Sequence, residues 1–282
     1  MPDGWLKDLR GLANRMREEL LEFLEGAERP RDARAAEEMG KRAEEVACRA
    51  LLEGLEELGR PVILVCEDLG IREIGPVGPE GPYLLVDPLD GTRNISRGLE
   101  IASISLAVCR GPSLRGLEEG LVLDLFSGRE FWAISGRGAY CGPETLSVST
   151  TKDLSKALVS LDQSHLGEAT PGWAYEVVGA VDAIRQLGSV ALELCLLASG
   201  AFDAHVDLRG RIRPTDVAAG LLIAVEAGAM AWIRGSIRPE VALRHDERVR
   251  ILVSNRALFD RLREMLAPFL PEGGLVLKRG GD

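Results

Sequence analysis

Residues 84–94 read LLVDPLDGTRN. An apolar run from Tyr83 to Val86 meets two acids, Asp87 and Asp90, which bracket Pro88-Leu89 and are followed at once by Gly91, Thr92 and Asn94. Pro88 fixes one backbone dihedral and donates no hydrogen bond, so a buried strand is expected to stop there and turn, holding both carboxylates near the turn. Gly91 permits a positive φ or a close backbone approach. The amides of Gly91 and Thr92 would then open a short helix and point at an anion. Hard oxygen ligands beside amides and a hydroxyl suit Mg²⁺ with a phosphate better than zinc or a haem. An isolated D-x-x-D-G is equally at home in a plain turn between two strands, so its meaning rests on what the rest of the chain supplies.

Working outward, the 282 residues are 46% hydrophobic, enough to bury a large core in one big domain or two smaller ones. Against 34 basic residues stand 44 acidic ones, a net charge of −10. With no basic excess to displace counterions, a nucleic-acid or anionic-membrane surface is not expected. An acidic protein that handles a phosphate needs cations at the site. No apolar N-terminal run follows a basic stretch, and no window approaches about 18 uninterrupted apolar residues, so neither a signal peptide nor a membrane span is expected and the expected location is the cytoplasm. Cys48, Cys66, Cys109, Cys141 and Cys195 are odd in number and contain no C-x-x-C, which points to reduced, mostly buried thiols.

Upstream of the motif, residues 3–25 place Trp5, Leu9, Leu12, Met16, Leu20 and Leu24 at steps of three and four, an amphipathic helix with Asp3 as N-cap. A second helix follows the polar break at 26–32, with Ala36, Met39, Ala43, Val46, Ala50, Leu51, Leu55 and Leu58 as its inner stripe and Gly59 at its end. Residues 61–66, PVILVC, read as a buried strand ending in Glu67 and Asp68. Three Gly-Pro dipeptides make 70–82 a loop. Downstream, 101–109, 120–126 and 130–135 read as consecutive strands of an antiparallel sheet. Gly136-Arg137-Gly138 reads as a hairpin rather than a dinucleotide fingerprint. From 146 the elements alternate: strands at 157–162, 204–208, 229–233 and 249–254, helices at 172–185, 189–199, 214–227 and 256–268. The division therefore falls into an N-terminal α+β half, 1–145, and a smaller α/β half, 146–282.

Residues 214–228 read PTDVAAGLLIAVEAG, with Pro214 at a helix start, small residues Ala218, Ala219 and Gly220 for close packing, and Asp216 in the first turn. Together the two stretches resemble the paired signatures of the inositol monophosphatase family, D-P-[LI]-D-[GS]-[ST] and W-D-x-A-A-G-x-x-[IV]-x-x-E-A-G. Residues 186–207, QLGSVALELCLLASGAFDAHVD, resemble a third family segment, and the resemblance extends over roughly 35–255. It implies a five-layer αβαβα sugar-phosphatase fold with two N-terminal helices and an antiparallel N-terminal sheet. It also implies Mg²⁺-dependent, lithium-sensitive hydrolysis of a polyol or sugar phosphomonoester, inositol 1-phosphate or fructose 1,6-bisphosphate or both, by a homodimer. A phosphatase for 3′-phosphoadenosine nucleotides and a weakly active or regulatory member are the alternatives.

Residue by residue, the resemblance implies that Glu67, Asp87 and the Leu89 carbonyl hold one Mg²⁺, and that Asp87, Asp90 and Asp216 hold a second. Glu67 and Thr92 would orient the attacking water, while Gly91 and Thr92 amides hold the phosphate. Asp207 and the turn of Gly188, Ser189 and Val190 would meet substrate hydroxyls. Of Arg209, Arg211 and Arg213, one would grip a second phosphate through a bidentate fork. Thr215 stands where most members have tryptophan, and Arg93 replaces a commoner acid or threonine. In the second helix the family carries an acid that supports the threonine and a third metal. Alignment on the A-E-x-x-A core puts Gly40 at that place; alignment by distance to Glu67 puts Glu44 there.

Overall fold

The computed structural model describes residues 4–78, 81–164, 171–236, 241–244 and 246–279. Helix α1 (Leu6–Gly26) buries Leu9, Leu12, Met16 and Leu20 on one stripe, as the spacing predicts, while Asp3 lies outside the described residues. Helix α2 (Ala33–Leu58) starts at Asp32, whose side chain accepts from the Ala35 amide, and ends at Gly59 in the left-handed conformation. Its inner face is slightly rotated from the predicted stripe. Gly40 and Ala47 are buried, whereas Met39 and Val46 are half-buried. Small residues on that face let the helix lie close to what is beneath it.

Beneath it is an eight-stranded sheet. Its strands are β1 (Val62–Cys66), β2 (Gly70–Ile74), β3 (Pro82–Asp90), β4 (Ser103–Arg110), β5 (Leu117–Asp124), β6 (Glu130–Ile134), β7 (Gly138–Cys141) and β8 (Glu144–Thr145). The short helix α3 (Thr92–Ile95) follows β3 directly. The order is β2-β1-β3-β4-β5-β6-β7-β8.

The structure corrects three expectations here. The segment 70–82 is not all loop: its first five residues form β2, an exposed edge strand whose sequence, GIREI, lacks the apolar signature of a buried one. The sheet is not wholly antiparallel, because the β1–β2 hairpin carries the chain to the edge and β3 returns parallel to β1. Nor does β3 stop at Pro88. Asp87 faces Ser105 and Asp90 faces Ser103, so Pro88-Leu89 bulges out of the ladder where a missing N–H costs nothing, and the strand runs on to Asp90.

The remaining elements are β9 (Leu158–Leu161), α4 (Gly172–Ala180), β10 (Ala183–Arg185), α5 (Val190–Ala198), β11 (Ala204–Ile212), α6 (Pro214–Glu226), β12 (Met230–Gly235), β13 (Val249–Ser254), α7 (Arg256–Leu266) and β14 (Leu275–Leu277). Six strands form a second sheet in the order β10-β9-β11-β13-β12-β14. The helix expected over 172–185 ends at Ala180, because 183–185 pair as an edge strand with β9.

Side chains alternate across each strand and so divide among three cores. Leu84 and Val86 of β3 join α1 and α2 in the first. Val65 and Leu85 point the other way, into a core shared by α5, α6 and the inner face of the second sheet. Trp173, Phe259 and Leu262 of α4 and α7 cover its outer face. The result is the expected αβαβα stack. Helix α6, buried along its whole length, lies at the centre, which suits its continuous apolar sequence. Small residues seat it: a Cβ on Gly120 of β5 would stand 3.2 Å from the Ala219 backbone. The cysteines are unbridged thiols, four of them buried. No helix among the described residues is long and apolar enough to cross a membrane.

Candidate active site

Parallel pairing of β1 with β3 is what builds the site. Cys66 sits opposite Val86, and the next residues along each strand, Glu67 and Asp87, therefore emerge side by side. The Glu67 amide continues the ladder to the Val86 carbonyl. Asp216 arrives from the first turn of α6, its carboxylate fixed by the Arg213 amide (2.8 Å) and the Thr215 hydroxyl (2.9 Å). Carboxylate oxygens of Glu67, Asp87 and Asp216 all lie within 4.8 Å of one another. Asp90 is set differently. Its Oδ2 accepts from the Ser189 hydroxyl (2.7 Å) and the Ala191 amide (2.8 Å) at the start of α5, with Ser103 Oγ behind Ser189 at 3.1 Å. It borders the same cleft without joining the tight trio.

So many acids gathered in and beside one cleft resist ionisation together. Burial, then the charges of Asp90 and Asp216, pushes the Asp87 carboxyl well above its ordinary range. Burial likewise raises Asp216, and it raises Asp90 to about 7 against the hydrogen bonds from Ser189 and Ala191. Asp68, one residue past Glu67, is pushed to about 6 by burial and by Glu44 and Asp216. A guanidinium meets one of them directly: Arg213 pairs with Glu67. The facing donors are carboxylate oxygens with neither sulfur nor imidazole among them, and their mutual repulsion is what a hard divalent cation relieves.

The cleft, about 410 Å³, is lined by these acids and by Gly40, Glu44, Gly91, Thr92 and Gly188. Gly91 has φ 104°, and a Cβ there would stand 2.7 Å from the Ile101 carbonyl, so only glycine fits. Thr92 donates its hydroxyl to the Leu89 carbonyl at 3.0 Å, which ties the two residues together. On the other side of Thr92 stands Gly40, where a Cβ would meet the threonine methyl at 2.8 Å. Gly40 is thus the residue of α2 that stands against Thr92. Glu44 lies one turn on and also lines the cleft.

The residues expected to meet the substrate are distributed less simply. Ser189 is fully buried behind Asp90, Val190 follows it as the first residue of α5, and it is Gly188 that lines the cleft. Asp207 is buried and bonded to half-buried Arg209, which also reaches Asp162 (2.6 Å) and Ser164. Arg211 is exposed on β11. Reading of the sequence missed Asn94 as a site residue. Its amide donates to the carbonyls of Leu187 (2.7 Å) and Ile101 (2.9 Å), joining the motif to the turn before α5. Its place two residues after D-G-T was the available signal.

Chemically, a ring of acids able to gather hard cations stands beside a glycine-threonine turn and an open cleft, which equips the site to bind and cleave a phosphate ester. Comparison with known proteins agrees. The model of the inositol monophosphatase family matches residues 7–265. A fructose-1,6-bisphosphatase/inositol-1-monophosphatase of Methanothermobacter thermautotrophicus is 38% identical over 187 residues, 62% of this chain and 64% of that protein. A protein of the same description from Thermococcus kodakarensis is 31% identical over 228 residues, 80% of this chain and 82% of the relative. In structure, a hypothetical Pyrococcus horikoshii protein with similarities to inositol-1 monophosphatase superposes with TM-score 0.75 at 25% identity, covering 95% of this chain and 98% of that one. This chain belongs to the inositol monophosphatase family.

Proposed function

We propose that this protein is a phosphoric monoester hydrolase acting on a polyol or sugar phosphate, with inositol 1-phosphate and fructose 1,6-bisphosphate as its substrates. The observation that carries this reading is the convergence of Glu67, Asp87 and Asp216 within 4.8 Å beside the Gly91-Thr92 turn. Names of the archaeal relatives support the choice of esters. Glu67, Asp87 and the Leu89 carbonyl would hold one Mg²⁺, and Asp87, Asp90 and Asp216 a second. Bound there, Mg²⁺ would polarise the phosphoryl oxygens, acidify a water and take up charge on the leaving alkoxide.

The chain's own residues do the rest. Asp90 is pre-oriented by Ser189 and Ala191, so its free oxygen faces the cleft at little entropic cost. Thr92, anchored on Leu89, and Glu67 place the water in line with the ester. Gly91 and Thr92 amides receive the phosphate. Of Arg209, Arg211 and Arg213, the last, paired with Glu67 of the cleft, is best placed to meet an anionic substrate group, since Arg209 is committed to Asp207 and Asp162. A cytoplasmic homodimer, inhibited by Li⁺ and using two or three ions, belongs to the same proposal.

The test is phosphate release from inositol 1-phosphate, fructose 1,6-bisphosphate and a 3′-phosphoadenosine nucleotide, with and without Mg²⁺ and Li⁺. Turnover of the first two that needs Mg²⁺ is expected. A preference for the nucleotide replaces the proposed substrate, and no release from any ester overturns the enzymatic reading.

A further inference from the structure

Behind the cleft lies a second polar cluster that the reaction as described leaves unused. Ser160 of β9, Glu193 of α5 and His205 of β11 are 0%, 2% and 0% exposed. The Ser160 hydroxyl lies 2.7 Å from Glu193 Oε2 and 2.9 Å from His205 Nδ1, with Glu193 Oε2 at 3.3 Å from the same ring nitrogen. These residue types are those of a hydrolytic triad, but the arrangement is not one. The serine hydroxyl donates to the carboxylate rather than to the imidazole, and none of the three is open to a substrate. His205 Nδ1 stands within reach of both Ser160 Oγ and Glu193 Oε2, and the Ser160 O–H donates to Glu193 Oε2. His205 Nε2 finds no hydrogen-bond partner among the described residues, so the ring is held through Nδ1 alone.

The other carboxylate oxygen shows what the chain supports. Glu193 Oε1 accepts from the amides of Leu187 and Gly188, at 2.5 and 3.2 Å. Those residues form the turn that opens α5. Gly188 has φ 76° and lines the cleft, and a Cβ on it would stand 3.2 Å from the Asn94 amide. Asn94 grips the same turn from the opposite side through the Leu187 carbonyl. The next residue is Ser189, which orients Asp90. The turn is thus clamped between Asn94, on the helix after the motif, and Glu193, which is itself fixed by a serine and a histidine from two strands of the second sheet.

We propose that Glu193 is a positioning residue, braced by Ser160 and His205, that holds the Leu187-Gly188 turn as the substrate-facing wall of the cleft. The inference rests on the reading of that cleft as a phosphoester site. Two charge-assisted bonds to backbone amides fix the turn more tightly than neutral ones would. Loosening it moves the wall without touching Glu67, Asp87 or Thr92, so the cost falls on substrate binding ahead of the chemical step.

The test compares Glu193→Gln and the milder Ser160→Ala with the unmodified, Mg²⁺-loaded enzyme, by steady-state kinetics on inositol 1-phosphate and by amide hydrogen exchange. For Glu193→Gln, KM is expected to rise about tenfold with kcat held within about threefold, and exchange at Leu187 and Gly188 to quicken about tenfold while α6 stays protected. Ser160→Ala moves the same quantities in the same direction by less, and it decides the matter if Glu193→Gln fails to fold. Unchanged exchange at the two amides overturns the inference, as does a loss carried by kcat alone or a loosened turn with unchanged KM. If the unmodified protein hydrolyses no ester, the hydrolase reading fails. Exchange at Leu187 and Gly188, which needs no turnover, then decides whether Glu193 holds the turn.

Discussion

Two groups of buried carboxylates in this molecule differ in a way that separates structure from chemistry. In the first, each oxygen has its own donor. Glu226 takes the amides of Gly136 and Gly138 at 2.7 and 2.9 Å, and Asp203 takes the Ser149 hydroxyl and the Leu158 amide. Glu193 is served on both oxygens as well; although burial works against it, the bonds from His205, Ser160 and Leu187 hold it below the usual carboxylate range. In the second group Asp87 and Asp216 are as hidden and Asp90 is half-buried, and Asp216 also has a donor on each oxygen, yet their charges face one another and their protonation is pushed upward. Burial is common to both groups, so burial does not mark the site. What marks it is charge that the fold has gathered and left for something else to neutralise.

Neutralising one acid of the second group should give the largest effect and the opposite balance from the first. In Asp90→Asn the amide oxygen can still accept from Ser189 and Ala191, so the local geometry survives and only the charge goes. Phosphate release in Mg²⁺ is expected to fall about a thousandfold, in the range of removing a preorganised electrostatic contact to the transition state. Calorimetry of the metal-free variant should show no loss of stability. Undiminished turnover would sink the assignment of Asp90 to a cation.

The same contrast has a pH signature. Asp90 and Asp68, raised from the ordinary 3.8 to about 7 and about 6, keep their protons in the folded state where the unfolded chain has released them. Their contribution is complete below about pH 4 and is lost as pH rises to about 7. For Asp90 alone that is on the order of 4 kcal/mol. Mg²⁺ binds the ionised forms and should restore what is lost, so the rise in Tm on adding Mg²⁺ should be larger near pH 8 than near pH 5. Equal shifts at the two pH values would place the cation elsewhere.

For the first group the expectation is reversed. Glu226→Gln puts an amide nitrogen against a backbone N–H at the β6–β7 turn, at a cost of about 2–3 kcal/mol in denaturant unfolding, while kcat/KM in Mg²⁺ stays within about threefold. A collapse of activity at unchanged stability would dissolve the distinction between the two groups.

Much of this was legible from sequence, and the limits are informative. The β3 motif, the apolar α6 and the small-residue α2 announced themselves because each uses a periodicity or composition that only one environment suits. Edge strands β2, β10 and β14 did not, since each is short and only partly buried, too little chain to show a period. Of the candidate site, the acids and Thr92 were readable as motif, but the Ser160–His205–Glu193 cluster was not. Its members lie 33 and 12 residues apart and are joined only by the pairing of β9 with β11 and the packing of α5. The position of Asp207 was readable; its commitment to Arg209 required coordinates.

The smallest predicted effect tests the contact that two sequence alignments left open. Gly40 lies mid-helix, where alanine would ordinarily stabilise by about 1 kcal/mol. Here the added Cβ would meet the Thr92 methyl at 2.8 Å. Threonine is branched at Cβ and held by its hydroxyl on Leu89, so it has no flexible end to swing aside; either χ1 turns and the hydroxyl leaves Leu89, or α3 shifts against α2. Gly40→Ala should therefore keep or raise Tm while kcat falls about tenfold and KM changes little. Glu44→Ala, one turn away, leaves Thr92 untouched and should change kcat less than about threefold. A fully active Gly40→Ala enzyme would mean that the cleft does not depend on how Thr92 is held. A Glu44→Ala enzyme with the larger loss would make Glu44, on the cleft wall, the functional acid of α2.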